Sequence, residues 1–327
     1  MLAAAVAIFV LFPQLIGFNR ALSLLGRADP LFLTLALTAE TLRYVVSAAT
    51  THVLARIFGR RVPLAPLTQA FFAGAAANRT FSTGGAPGMI VRALFLTRQG
   101  VDAGSVAVIY LIENVAGLFF GTLVLVMGLV SVANARLSGS LIGNVTFALA
   151  IGGPVCAVGA FWLYRRRAWV ETSVHAVARG LNGVLTWFLG RPIYSAEQVQ
   201  RALDQFYAGM PRARCAPRFV IPAFALNLVR HLSGAVALYC AFLAFGWPIS
   251  PDILILVYTS ASVLSTVSAV PGELAIMGGS WAVLTLSFGV PRDIAMMALL
   301  LSRTLAFWLP IPVGYLAFWN LRRQRYL

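Results

Sequence analysis

Charged side chains set inside otherwise apolar stretches are the groups in this sequence able to do chemistry. Glu40 and Arg43 stand three apart near the middle of an apolar run at 31–55, and Asn227, Arg230 and His231 occupy the matching part of a run at 217–246. Glu113 lies a third of the way along 103–132, and Arg303 holds the corresponding place in 292–321. Arg79 and Arg92 flank a glycine- and proline-rich break, and Glu273 sits within a second one. Placing an ionised side chain at membrane depth costs at least ~2.5–3.5 kcal/mol, so such groups turn inward and find partners. The structural pairing would be Glu40 with Arg43, which share a helix face, and Glu113 with Arg303. That pairing does not balance the charge: Arg43, Arg79, Arg92, Arg230 and Arg303 face only Glu40, Glu113 and Glu273. Surplus guanidinium suits an anion, and its planar fork matches phosphate. Glu113 and Glu273 would orient partners or accept an ammonium on the same ligand.

The elements holding these residues occur twice. The spacing that separates Arg43 from Arg230 also carries Phe58-Gly59 onto Phe245-Gly246 and Gly85 onto Gly272; a spacing two residues longer carries Gly100-Val101 onto Gly289-Val290. Each copy is an apolar segment containing an Arg, then a Gly, then a second apolar segment broken by Gly and Pro. The breaks are TGGAPGMIVR (Thr83–Arg92) and VPGELAIMGG (Val270–Gly279). Gly84, Gly85 and Gly88 around Pro87 are dense enough to end a helix, and half-helix N-termini at such a break would offer backbone N–H donors to an anion. Gly117, Gly121 and Gly128 read instead as close-packing residues of a membrane helix.

Composition sets the class. The 327 residues are 60% hydrophobic and 11% charged, with a net charge of +15 carried by arginine alone, since the sequence has no lysine. Recurrent apolar runs near the length needed to cross a bilayer make this an all-α polytopic membrane protein. The basic excess points to anionic or zwitterionic membrane lipids as partners, with a homo-oligomer left open, and away from nucleic acid. Three cysteines without metal-type spacing support neither a disulfide framework nor a metal site, and no cofactor is expected. Six segments are long enough to span: 2–18, 31–55, 103–132, 141–164, 217–246 and 292–321. The first lacks the basic flank and small-residue cleavage site of a signal peptide and reads as a span. Arginine clusters at 56–61, 165–167 and 322–325 follow the second, fourth and last, and place both termini in the cytoplasm of a cell membrane. Segments 62–101 and 250–290 must then enter and leave on one side, as re-entrant half-helix hairpins. They enter from opposite faces, which makes the repeat inverted, with halves at 31–132 and 217–321. Between them, 165–216 reads as a cytosolic connector: Val170, Val174, Val177, Leu181, Val184 and Phe188 form an amphipathic stripe, and Ser195 with Gln198 resembles a capping box.

At these residues the chain resembles the transmembrane, flippase-like region of lysylphosphatidylglycerol synthases and its stand-alone relatives. In that family an Asn precedes a GG-x-x-G-x-x-x-R element, matched here by Asn78, Gly84, Gly85, Gly88 and Arg92, with an acidic residue in the next helix matched by Glu113. A second element, P-G-G-x-G-x-x-[DE], is matched by Pro271-Gly272, and an Arg seven residues before a Pro by Arg303 and Pro310. The second element departs at Glu273, Ala275 and Gly278, so the acid has shifted or the substrate differs. The resemblance implies translocation of a phosphate-bearing lipid between leaflets, aminoacyl-phosphatidylglycerol-like or another polar or glycolipid, without the aminoacyltransferase reaction. Substrate contacts are then expected at Arg43, Asn78, Arg79, Gly84, Gly85, Gly88, Arg92, Glu113, Arg230, Pro271, Gly272, Glu273 and Arg303. An ion-coupled transporter of a small anionic solute, or a membrane enzyme or partner subunit acting on lipid-linked phosphate or sugar, are the alternatives.

Overall fold

The computed structural model describes residues 26, 28–81, 85–133, 166–176, 179, 195–251, 253–258 and 288–327. The expected spans at 2–18 and 141–164, the second break with Pro271, Gly272 and Glu273, and Gly84 in the first lie outside the described residues. The regular elements described are all helical: α1 (Pro30–Ala55), α2 (Leu64–Phe81), α3 (Ala86–Arg98), α4 (Ala103–Ala133), α5 (Ala196–Arg214), α6 (Pro217–Leu243), α7 (Arg292–Trp308) and α8 (Pro310–Arg323), with short helical pieces at 167–176 and 253–258. Among them, Pro30–Phe58, Ala103–Val124, Pro217–Leu243 and Asp293–Arg323 are long and apolar enough to cross a bilayer.

Local sequence explains the helix ends. Asp29 caps α1, its Oδ1 accepting from Leu31 N at 2.8 Å, with Pro30 at the first helical position. Asp102 caps α4 through Ser105 N at 2.9 Å. Ser195 and Gln198 make the expected capping box at the start of α5, with reciprocal bonds of 3.0 and 3.2 Å. The expected amphipathic stripe is helical at 167–176, and its later residues fall outside the described residues. Asp293–Arg323 is interrupted at Leu309, where Pro310 lacks the N–H that a continuous helix would use.

The two copies close their first helix in the same way. After α1, Gly59 adopts φ 73° and Arg60 N donates to Ala55 O at 3.2 Å; after α6, Gly246 adopts φ 70° and Trp247 N donates to Phe242 O at 3.2 Å. This left-handed glycine cap satisfies carbonyls that the helix end would leave open. Gly100 and Gly289 are likewise left-handed, at φ 82° and 77°, directly before α4 and α7.

Packing brings the copies together. Among the described helices the most extensive contact is between α1 and α6, which run antiparallel. Asp29 N donates to Ala244 O at 2.9 Å at one end, and Ala223 shares a core cluster with Ala48, Leu54 and Ala55 toward the other. Small residues on both helices, such as Ala36, Ala48, Ala237 and Ala241, are buried, and small residues allow the close approach on which helix association in lipid depends. Larger side chains such as Val229, Leu232 and Val236 are exposed on one side of α6, as a lipid-facing surface requires. α2 pairs antiparallel with α8, tied by Asn320 Nδ2 to Gln69 Oε1 at 2.9 Å and by the Thr80 and Tyr315 hydroxyls at 2.8 Å. α3 folds back on α2: Gly88 N donates to Asn78 Oδ1 at 2.6 Å, and a Cβ on Gly74 would come within 2.9 Å of Gly88 O. α5 lies across the start of α4, where a Cβ on Gly104 would overlap Gln205 and Phe206.

Candidate functional site

One cavity of about 230 Å³ opens between α1, α4 and α6, with Phe71, Arg92 and Tyr258 completing its wall. The side chains on it follow helical spacing: Arg43, Ser47 and Thr50 from α1; Glu113, Asn114, Gly117, Leu118 and Gly121 from α4; Asn227, Arg230 and His231 from α6. Each of these three helices turns one polar stripe inward, as the cost of exposing charge to lipid demands.

The guanidiniums are held differently. Arg43 Nη1 donates to both oxygens of buried Glu40, at 2.8 Å each, and its Nε is buried with no hydrogen-bond partner among the described residues. Arg92 lies 3.6 Å from Glu113, with its charge over the Phe71 ring at 4.6 Å and the Tyr110 ring at 4.9 Å. Tyr110 is fixed by its hydroxyl, which donates to Met89 O at 2.9 Å. Glu113 also accepts from the Thr51 hydroxyl. Among the described residues, Arg230 hydrogen-bonds to neutral partners: its Nε and Nη2 both donate to Asn227 Oδ1, at 3.1 and 2.8 Å, and Nη2 lies 3.3 Å from His231 Nε2. A guanidinium can only donate, so His231 accepts through Nε2 as a neutral imidazole.

These contacts leave a site rich in cationic donors. Ser47 and Thr50 direct their hydroxyl hydrogens to Arg43 O at 2.7 Å and Val46 O at 3.0 Å, and Asn114 Nδ2 donates to Tyr110 O at 2.8 Å. Arg230 Nη1 donates to no described residue. The arrangement can bind an oxyanion through guanidinium N–H groups in partly desolvated surroundings.

The structure therefore gathers Arg43, Arg92, Glu113 and Arg230 around one cavity. It does not place every expected residue there. Asn78, Gly85 and Gly88 build the α2–α3 hairpin: Gly85 adopts φ 86° ahead of α3, and a Cβ on Gly88 would collide with the Asn78 amide. Arg79 lies 5.6 Å from the Phe307 ring, and neither it nor Arg303 is among the described lining residues. Gly84, Pro271, Gly272 and Glu273 lie outside the described residues. Two expectations are corrected. Glu113 pairs with Arg92 rather than Arg303 because α3 packs against α4 and brings Arg92 within reach. Gly117 and Gly121 do more than pack helices, since both line the cavity and a Cβ on Gly117 would approach Arg230 Nη2 to 3.0 Å. Ser47, Thr50, Asn114 and Tyr258 were not anticipated. Ser47 and Thr50 were legible as the fourth and seventh residues after Arg43, whereas Tyr258 carries no comparable signal.

The model of the lysylphosphatidylglycerol synthase TM region matches residues 1–314. The chain belongs to that family. A UPF0104 membrane protein from Methanothermobacter thermautotrophicus (strain ATCC 29096 / DSM 1053 / JCM 10044 / NBRC 100330 / Delta H) is 34% identical over 91 residues. That match covers 28% of this chain and 27% of the relative, so the chain spans about a quarter of the length of this curated relative. Family membership agrees with the apolar helices described above and links the chain to membrane lipid handling.

Proposed function

We propose that this protein translocates a phosphate-bearing lipid between bilayer leaflets, the headgroup passing through the cavity while the acyl chains stay in the membrane. The observation that carries this reading is the convergence of Arg43, Arg92 and Arg230 on one cavity between apolar, membrane-length helices. Three guanidiniums placed there carry a desolvation cost that an anionic ligand offsets. In this reading 1–327 is one multi-pass domain of the cell membrane, with both termini cytoplasmic. It has six spans and two re-entrant hairpins as an inverted repeat, with halves at 31–132 and 217–321 joined by the cytosolic connector 165–216. The antiparallel pairing of α1 with α6 and the hairpin of α2 with α3 support that architecture. The role is transport rather than catalysis, and the partners are anionic or zwitterionic lipids.

Reconstitution into liposomes containing labelled phosphatidylglycerol derivatives tests the reading. Protein-containing vesicles are expected to exchange label between leaflets faster than empty ones, and Arg92→Ala or Arg230→Gln to slow exchange at least about tenfold, the scale of a lost charged hydrogen bond. Equal exchange in empty and protein-containing vesicles would refute it.

A further inference from the structure

Charge within the cavity is asymmetric in a way that specifies its ligand. Arg43 is neutralised by Glu40, which takes two hydrogen bonds from it, and Arg92 is faced by Glu113 at 3.6 Å. Arg230 stands where Arg43 stands in the other copy, but the position equivalent to Glu40 is Asn227. Asn227 is as buried as Glu40, at 3% against 4% exposure. It repeats the hydrogen bonding to the guanidinium without supplying a negative charge. His231 accepts from Arg230 and so adds no charge. Among the described residues, the cavity thus holds one uncompensated positive charge, centred on Arg230, whose Nη1 donates to no described residue. Both described carboxylates near the cavity face guanidiniums, so an ammonium there would add to a positive charge already in surplus.

From this we infer that the cavity selects a phosphodiester monoanion with no cationic group, anchored by Arg230, over phosphomonoester dianions and zwitterionic headgroups. The inference rests on reading the cavity as a phosphate site and narrows the ligand class. A dianion would leave one negative charge uncompensated in a partly desolvated space. An ammonium-bearing headgroup would bring a cation against Arg43 and Arg92. A single phosphodiester charge matches the site, and neutral hydroxyls on the headgroup meet the oxygens of Ser47 and Thr50, whose hydrogens are directed elsewhere.

Binding to the purified chain in neutral detergent tests this at about pH 8, where a phosphomonoester carries its second charge. The probes are dioleoyl phosphatidylglycerol, phosphatidic acid and phosphatidylcholine, with glycerophosphoglycerol as the soluble phosphodiester. Phosphatidylglycerol is expected to bind at least about tenfold tighter than either other lipid, the scale of one charged hydrogen bond. Asn227→Glu, which cancels the spare charge, and Arg230→Gln should each remove that preference. Glu40→Gln, close in shape to the native side chain, should raise affinity for phosphatidic acid relative to phosphatidylglycerol. Thermal unfolding reports whether each variant is folded, and Glu40→Gln carries the test if Asn227→Glu is not. Equal affinity for phosphatidic acid and phosphatidylglycerol, or a ratio unmoved by Glu40→Gln, overturns the inference while leaving a phosphate site in place. Absence of binding by every probe overturns the phosphate reading itself. Glycerophosphoglycerol binding as tightly as the lipid would keep the charge selectivity and assign the site to a soluble anion.

Discussion

The helix pair α1 and α6 carries the same Arg at equivalent positions, yet the two arginines have different electrostatic surroundings. Arg43 shares its helix face with Glu40, Arg230 with Asn227, and both partners are buried. A carboxylate and a carboxamide of similar shape hold a guanidinium in similar geometry, but only the carboxylate cancels its charge. The two helices thus share an arginine position and a buried polar partner while differing in charge at the cavity. Side-chain shape is kept beside each arginine, while charge differs between the two helices.

Exchanging the two partners is the severest challenge to this comparison. Asn227→Glu alone is expected to lower phosphatidylglycerol exchange at least about tenfold in liposomes. Adding Glu40→Asn should restore a substantial part of it, because the spare charge then moves to Arg43 on the same cavity. Failure of the double variant to recover any activity would mean that position as well as net charge matters.

Helix contacts come next in size. A Cβ on Gly234 would run into the Tyr258 ring, and one on Gly88 into the Asn78 amide and the Gly74 carbonyl. Gly234→Ala and Gly88→Ala are each expected to cost about 1–3 kcal/mol, as overpacking does, read as earlier thermal unfolding in detergent. The Gly88 change should be the worse, because the backbone of Gly74 cannot swing aside as a tyrosine side chain can.

The two caps predict a smaller and equal effect. Gly59 and Gly246 have positive φ and nothing within reach of an added Cβ, so alanine at either meets backbone strain alone, about 1–2 kcal/mol. Matching losses of thermal stability would support structural equivalence of the copies; a cost at one site only would break it. Smallest is Ser195→Ala in the capping box of α5, about 1 kcal/mol. Hydrogen exchange across 195–199 should rise while exchange in α6 stays unchanged.

The charges that line the cavity were legible before the fold. The intramembrane charges Arg43, Arg92, Glu113 and Arg230 stood out because burying an ion in lipid is expensive enough to imply a purpose. The repeat was visible because glycines at positive φ tolerate few substitutes: Gly59 and Gly246, and Gly100 and Gly289, fall at recurring spacings and share one conformation. Other residues were assigned too much or too little. Asn78, Gly85 and Gly88, expected as ligand contacts, are not among the described lining residues, and Asn78 is tied to Gly88 by a hydrogen bond in the α2–α3 hairpin. Gly117 looked like helix packing, but it faces Arg230.

Residue type and near-neighbour spacing alone dictate the membrane class, the helix caps and the identity of the buried charges. Tertiary structure alone decided which charges meet. Glu113 could have paired with any of several arginines, and only the packing of α3 against α4 brings Arg92 to it. The substitution of Asn227 for Glu40 is written in the sequence, but its consequence is not. It matters because antiparallel packing of α1 on α6 brings both arginines to one cavity, where electrostatic energies depend on distances that spacing along the chain does not specify.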